Sequence, residues 1–171
     1  MTFIGRGCPA RIAACAIGPL SFLLACAGCS KPVPFSRGER IPLGPFTLSV
    51  SHAEMSSLDT RAQSLAVHFR SEGIDSQETA KRFAFLFMGQ ITVTDSEGNE
   101  YATLPLMTLG AFRSKRLSRG AGVAVPDGEF TPNEWVAVAR VPVGSQGFVV
   151  HIKNPRRQEG QPSVASVALG R

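Results

Sequence analysis

From Phe46 to the end of the chain, apolar and polar residues alternate with a period of two. Phe46, Leu48 and Val50 alternate with Thr47, Ser49 and Ser51, and Leu65, Val67 and Phe69 with Ala66, His68 and Arg70. Phe83, Phe85 and Phe87 share this phase, as do Ile91 and Val93 against Thr92 and Thr94. Val136 and Val138 lead to Val141 and Val143; Phe148, Val150 and Ile152 alternate with Val149, His151 and Lys153; Val164, Val167 and Leu169 follow. Such alternation, rich in β-branched and aromatic residues, predicts half-buried strands. Only Asp75-Ser76-Gln77-Glu78 argues for a helix: an acceptor side chain is followed three residues later by glutamate, the capping-box spacing. It predicts about two turns through Arg82, with Phe83 opening the next strand; a polar loop joining two sheets is the alternative. Asp95–Glu100 reads as a hairpin turn, with Gly98 and Asn99 tolerating positive φ. Pro126-Asp127-Gly128, Pro132-Asn133 and Pro142 with Gly144 and Gly147 mark further corners. Short strands at this spacing favour an all-β fold, an antiparallel sandwich with one short helix.

The one long apolar run lies at the N-terminus. Arg6 and Arg11 precede apolar residues from Ile12 to Leu24, small residues and cysteine follow, and Ser30-Lys31-Pro32 turns polar. This is the layout of a secretory signal: a positive segment, an apolar segment of roughly 7–15 residues, then small residues at a cleavage site. A spanning helix needs about 20 apolar residues, whereas Ile12 to Gly28 supplies 17 positions interrupted by Pro19. The segment resembles the lipobox of bacterial lipoproteins, in which an aliphatic residue three before a cysteine and a small residue just before it direct lipidation and cleavage. Cys26 has Leu23 and Ala25 in those places; Cys29 is the alternative, with Ala27-Gly28 before it but Cys26 three back. The implied division is a signal peptide over 1–25, a lipidated flexible tether over 26–40 and a sandwich domain over 41–171. Two prolines and a glycine between Ser30 and Arg40 suit the tether. Neither Ala27 nor Ser30 is the aspartate that resembles an inner-membrane retention signal, so an outer membrane, facing the periplasm, is expected in a host with two membranes.

Several segments carry a second resemblance. Leu43–Val50, the Ser64–Phe69 strand, Ile91-Thr92-Val93-Thr94 with Asp95–Tyr101, and Phe130–Trp135 through Arg140-Val141-Pro142-Val143-Gly144 occur in an order that resembles an immunoglobulin-like domain of unknown function common in bacterial lipoproteins. The likeness spans roughly Arg40 to Ile152. Pro132-Asn133-Glu134 stands where that family usually has Pro-Gly-Glu, and Leu109–Val125 is longer and more basic than its pattern. The resemblance implies a sandwich of seven to nine strands and brings no catalytic residues.

Charge narrows the partners. Removing Arg6 and Arg11 from the 18 Lys+Arg leaves 16 against 13 Asp+Glu, a net charge of +3. That balance is ordinary for solubility and does not point to nucleic acid. All four cysteines, Cys8, Cys15, Cys26 and Cys29, lie at or before the junction, so the domain must hold by core packing without disulfides. His52, His68 and His151 are the only histidines, and no Gly-x-Ser-x-Gly elbow occurs. His68 and His151 fall on outward strand faces and are expected to be solvated, while His52 falls in phase with Phe46, Leu48 and Val50 and is expected half-buried at a strand end. Asp95, Glu97 and Asn99 alternate within one turn, but Glu100 comes too soon for an EF-hand calcium loop, and a polar hairpin suffices. No metal site, cofactor or catalytic residue is expected.

Arg113, Lys115, Arg116 and Arg119 form the main basic cluster, with Lys153, Arg156 and Arg157 a smaller one. On a lipid-anchored protein the main cluster is the candidate contact for an acidic envelope component or a protein partner. Phe83–Met88, apolar on both faces, is expected as a central strand, and Trp135 as a core or edge aromatic with its indole N–H satisfied. The expected function is a non-enzymatic binding or structural role at the cell envelope; the alternative is an exported hydrolase or a carrier of a small apolar ligand or lipid.

Overall fold

The computed structural model describes residues 31–113 and 133–170. Among these residues ten strands form two five-stranded sheets. The first sheet contains β1 (Val33–Phe35), β5 (Ile91–Thr94), β6 (Glu100–Ala102), β9 (Val149–Lys153) and β10 (Val164–Ala168), in the order β1-β10-β9-β5-β6. The second contains β2 (Ile41–Leu43), β3 (Phe46–Ser57), β4 (Ala62–Glu72), β7 (Met107–Thr108) and β8 (Glu134–Pro142), in the order β2-β3-β4-β8-β7. Every pairing is antiparallel except β1 with β10, which is parallel.

The sheets face each other across one core. Ile91, Val93, Val150, Ile152, Ala165 and Val167 of the first meet Leu48, Val50, Leu65, Val67, Phe69, Ala137 and Ala139 of the second. Fully burying a side chain of Val, Leu, Ile or Phe size contributes about 1.5–3 kcal/mol, and this packing holds the domain without a disulfide. The fold is thus the expected β-sandwich, though its ten strands exceed the seven to nine implied by resemblance.

The helix is longer than expected. α1 spans Gln77–Leu86, with Ser76 rather than Asp75 as its N-cap. Ser76 Oγ accepts from the Thr79 N–H at 3.2 Å. Ala80, Phe83 and Phe87, at helical spacing, turn to the core. The Phe83 ring centroid lies 5.1 Å from Phe46, 4.8 Å from Phe87 and 5.0 Å from Trp135. The strand expected over Phe83–Met88 does not form. One period-two set, Phe83, Phe85 and Phe87, also contains an i, i+4 pair, and that pair packs while Phe85 points outward.

Part of the expected tether is sheet. Val33, Pro34 and Phe35 pair with Ala165, Ser166 and Val167, and Phe35 packs against the core. Gly38, at φ 77°, makes the following turn, and its N–H donates to Val50 O at 2.9 Å. Two prolines did not preclude this, because an edge strand leaves one row of backbone groups unpaired.

The Asp95 hairpin forms as expected. β5 pairs with β6, and Gly98 takes φ 83° while no non-glycine residue described has positive φ, Asn99 included. Asp95 organises the turn: its carboxylate accepts from the Glu97 and Asn99 N–H groups at 3.0 Å each, from Asn99 Nδ2 at 3.0 Å and from Tyr101 Oη at 2.7 Å. The Asn99 amide and the Tyr101 hydroxyl hold its pKa down at about 2. Trp135 is buried as expected, and its indole N–H donates to Ser71 Oγ at 2.9 Å.

Candidate functional site

One irregularity decides which residues of β3 lie on the outer face of the second sheet. Along β3, Phe46, Leu48 and Val50 point inward; a bulge between Val50 and His52 then reverses the phase, so His52, Glu54 and Ser56 share the outer face. His52 is therefore exposed rather than half-buried in phase with Val50. Registration across the sheet sets His52 opposite His68, Val136 and Met107 in one row, and Glu54 opposite Ala66 and Val138 in the next.

This outer face is covered where exposed residues were expected. Ala66 and Val136 are buried yet stand apart from the core between the sheets. Along β8 the core positions are Trp135, Ala137, Ala139 and Val141; Val136 and Val138 face the other way. The cover comes from the chain after β6. The Leu104 N–H donates to Val138 O at 2.8 Å, β7 pairs with β8, and helical residues 109–113 bring Phe112 over His68. The Phe112 ring meets His68 edge-on at 5.9 Å.

His68 is accordingly buried, 8% exposed, and not solvated. The His52 ring stacks on it at 4.0 Å with the planes 13° apart. Its Nε2 lies 3.5 Å from Glu54 Oε1. Burial lowers its pKa, with His52 and Arg113 adding to the effect and Glu54 opposing it. His151, also expected to be solvated, is half-buried; its Nε2 is 2.9 Å from Thr94 Oγ1, and burial lowers its pKa against the opposing Glu100 charge. Ser51 Oγ lies 3.3 Å from His52 Nδ1, but its hydroxyl donates to His68 O at 3.1 Å. That direction ties the serine to the backbone rather than activating it as a nucleophile.

Beside the histidines a groove of about 380 Å³ runs over Ala66 and Val138, walled by Leu58, Leu104, Met107 and Phe112, with Glu54, Ser56, Ser57 and Ser64 along its polar side. A second hollow, about 340 Å³, lies at the Asp95 hairpin against Pro142–Gln146. Its polar groups serve the turn itself, and among the described residues no cluster of three or more His, Cys, Asp or Glu is arranged to hold a metal.

No family model and no curated protein sequence matches the chain. Among solved structures, it is similar to an uncharacterized β-sandwich protein from Clostridium difficile 630, at 10% identity and a TM-score of 0.45, over 82% of this chain and 95% of that one. It is also similar to a secreted protein from Mycobacterium tuberculosis, at 10% identity and a TM-score of 0.39, over 82% of this chain and 98% of that one. The sandwich is read from the strand pairing and the shared core, independently of these likenesses.

Of the residues singled out in sequence, Arg113 lies at the edge of the outer face, exposed and near enough to His68 to depress its pKa. Lys115, Arg116 and Arg119 lie outside the described residues, as do the signal segment, Cys26 and Cys29. The groove residues Glu54, Leu104, Met107 and Phe112 were not singled out. Their signal was present but indirect: Ala66 is apolar at an outward position and Trp135–Val138 is apolar without a break, which marks a face that something covers; Val136 and Val138, read in one alternating set with Val141, lie on that outer face instead.

Proposed function

We propose that this chain is an exported protein of the bacterial cell envelope, anchored by lipid on Cys26 (alternatively Cys29), whose sandwich has a non-enzymatic binding role. The signal layout, the lipobox-like junction and the resemblance to immunoglobulin-like domains of bacterial lipoproteins support the anchor. In a host with two membranes the periplasmic face of the outer membrane is the favoured location. The observation that carries the binding role is the groove on the outer face of the second sheet, an apolar floor with one polar wall and Arg113 nearby. The partner is a protein or envelope component that lays an apolar segment into the groove, with acidic groups toward Arg113.

A second reading is favoured by the groove's size. About 380 Å³ falls within the ~300–1,000 Å³ typical of small-molecule sites, which suits a carrier of a small apolar ligand. The hydrolase alternative gains no support, since the Ser51 hydroxyl is committed to a backbone carbonyl.

Affinity capture from detergent-solubilised envelope, with native mass spectrometry of the same preparation, separates these readings. Leu104→Glu puts a charge on an exposed groove wall. The binding role predicts that wild type retains envelope proteins that this variant loses. Copurifying lipid, absent from the variant, moves the reading to a carrier. Identical capture by both proteins, with no bound small molecule, contradicts both.

A further inference from the structure

The strand registers sort the sandwich into two ends. Val33 pairs beside Ala165, Val164 beside Lys153, and Ile91 beside Ile152, so the start of β1 lies at the same end of the first sheet as the end of β9 and the start of β5. In the second sheet, Leu43 pairs with Phe46, Thr47 with Glu72, and Arg70 with Glu134. These two sets belong to one end of the molecule, because α1 joins the end of β4 to the start of β5, and Gln161 bonds Gly44 through both its N–H, at 2.7 Å, and its carbonyl, at 3.0 Å. The opposite end carries Ala62 beside Pro142 and the Val143 turn.

The end where β1 enters carries surface that the core does not explain. Phe85 near the C-terminal end of α1 is 72% exposed, and Met88 in the turn that follows the helix is 49% exposed. Lys81 lies one turn before Phe85 on the same face of the helix. Lys153, Arg156 and Arg157 are exposed at the same end. Of the acids at this end, Glu78 is paired with Arg82 at 2.6 Å and Glu72 with Arg40 at 2.7 Å, and Asp75 accepts from Thr79 Oγ1 at 3.3 Å; Glu134 at the start of β8 and exposed Glu159 in the loop of Arg156 and Arg157 leave the cations in excess. An exposed aromatic and a methionine at the same end of the molecule as exposed lysine and arginine side chains is the composition of a surface that meets an anionic lipid interface.

We infer that this end of the sandwich, led by Phe85 of α1 and Met88 of the turn after it, with Lys81, Lys153 and Arg156 at the same end, docks onto the anionic headgroups of the membrane that holds the lipid anchor. The inference rests on the anchored reading. Cys29 precedes Val33 by four residues and Cys26 by seven. At about 3.3–3.6 Å per residue, even a fully extended link spans only about 13–25 Å, which keeps this end of the domain near the bilayer. Apolar contact by Phe85 and Met88 and attraction of the cations then fix the orientation, leaving the far end and the long sides of the sandwich turned to the envelope space.

Tryptophan quenching tests the orientation. The full-length protein, purified from membranes, is reconstituted in vesicles of phosphatidylglycerol and phosphatidylcholine containing brominated acyl chains. Phe85→Trp probes the proposed surface, and Val143→Trp, at a 51% exposed site, probes the opposite end; unsubstituted protein supplies the Trp135 background. The expected result is at least a twofold loss of the added emission for Phe85→Trp, weaker without phosphatidylglycerol, and no loss for Val143→Trp. Protein that sediments with vesicles but shows quenching at neither site, or only at Val143→Trp, overturns the docking and leaves the anchor standing. Protein that does not associate with vesicles contradicts both.

Discussion

The two faces of the second sheet come from the same strands but are built for different ends. The inner face presents Leu48, Val50, Leu65, Val67 and Phe69 to the opposing sheet, each almost wholly buried. The outer face carries two stacked histidines, a glutamate, small residues and a short crossing segment that covers it only in part. One face buys stability through dense apolar contact, and the other keeps polar groups and a groove within reach of solvent. A single bulge in β3 brings His52 and Glu54 onto that outer face, by reversing which side of the strand the even-numbered residues occupy. Stability and candidate function are therefore separable on one sheet, and they should respond differently to substitution and to pH.

The largest contrast is between two phenylalanines. Phe83 is fully buried against Phe46, Phe87 and Trp135, and Phe83→Ala should cost about 3–5 kcal/mol, a large part of a stability of about 5–15 kcal/mol. Phe112 makes one edge contact on the outer face, and Phe112→Ala should cost about 0.5–1.5 kcal/mol. Urea denaturation of the two variants measures both. Equal costs would mean that the crossing segment belongs to the core after all.

Helix capping gives a smaller effect that decides which residue begins α1. Ser76→Ala removes the acceptor for the Thr79 N–H and should cost about 1 kcal/mol, whereas Asp75→Ala should cost less. The reverse order would restore the box expected at Asp75.

Protonation separates the faces further. The folded-state pKa values of His68 and His151 lie below the ordinary 6.5, so the unfolded chain takes up protons first. The resulting stability is complete above about pH 6.5 and falls as acid carries the pH through the lower folded values. His68→Gln should remove part of this dependence, and adding His151→Gln the rest; a slope unchanged by either would contradict the buried placement. Asp95 acts in a lower window. With its folded pKa at about 2 against an ordinary 3.8, its contribution is present above about pH 4 and disappears toward pH 2, and Asp95→Asn should flatten acid denaturation in that range.

Much of the sandwich was legible from alternation, because a strand packed on one side writes its burial directly into a period of two. β5, β9 and the first half of β3 read this way, and the hairpin read from Asp95 and Gly98. Three features did not. Phe83, Phe85 and Phe87 satisfy a strand period, yet Ala80, Phe83 and Phe87 satisfy a helical one, and tertiary packing chose between them. The bulge at Val50–His52 leaves no mark in composition, so His52 was read in phase with Val50 and placed on the wrong side. Pairing of Val33–Phe35 with β10 joins residues more than 130 positions apart, which no local pattern reports. The groove follows from the last two kinds of information, register and long-range crossing, and so the apolar residues of its floor, Ala66 and Val138, were legible without the face they form.

The account depends most on the anchor, since both the binding role and the membrane-facing end are framed by it. Intact-mass spectrometry of the protein extracted from its native membrane tests this directly. The account predicts a chain beginning at Cys26 or Cys29 and heavier than that polypeptide by the mass of a diacylglyceryl group and an acyl chain on that cysteine. A chain that retains Arg6, Arg11 and Cys26 without added lipid would contradict it.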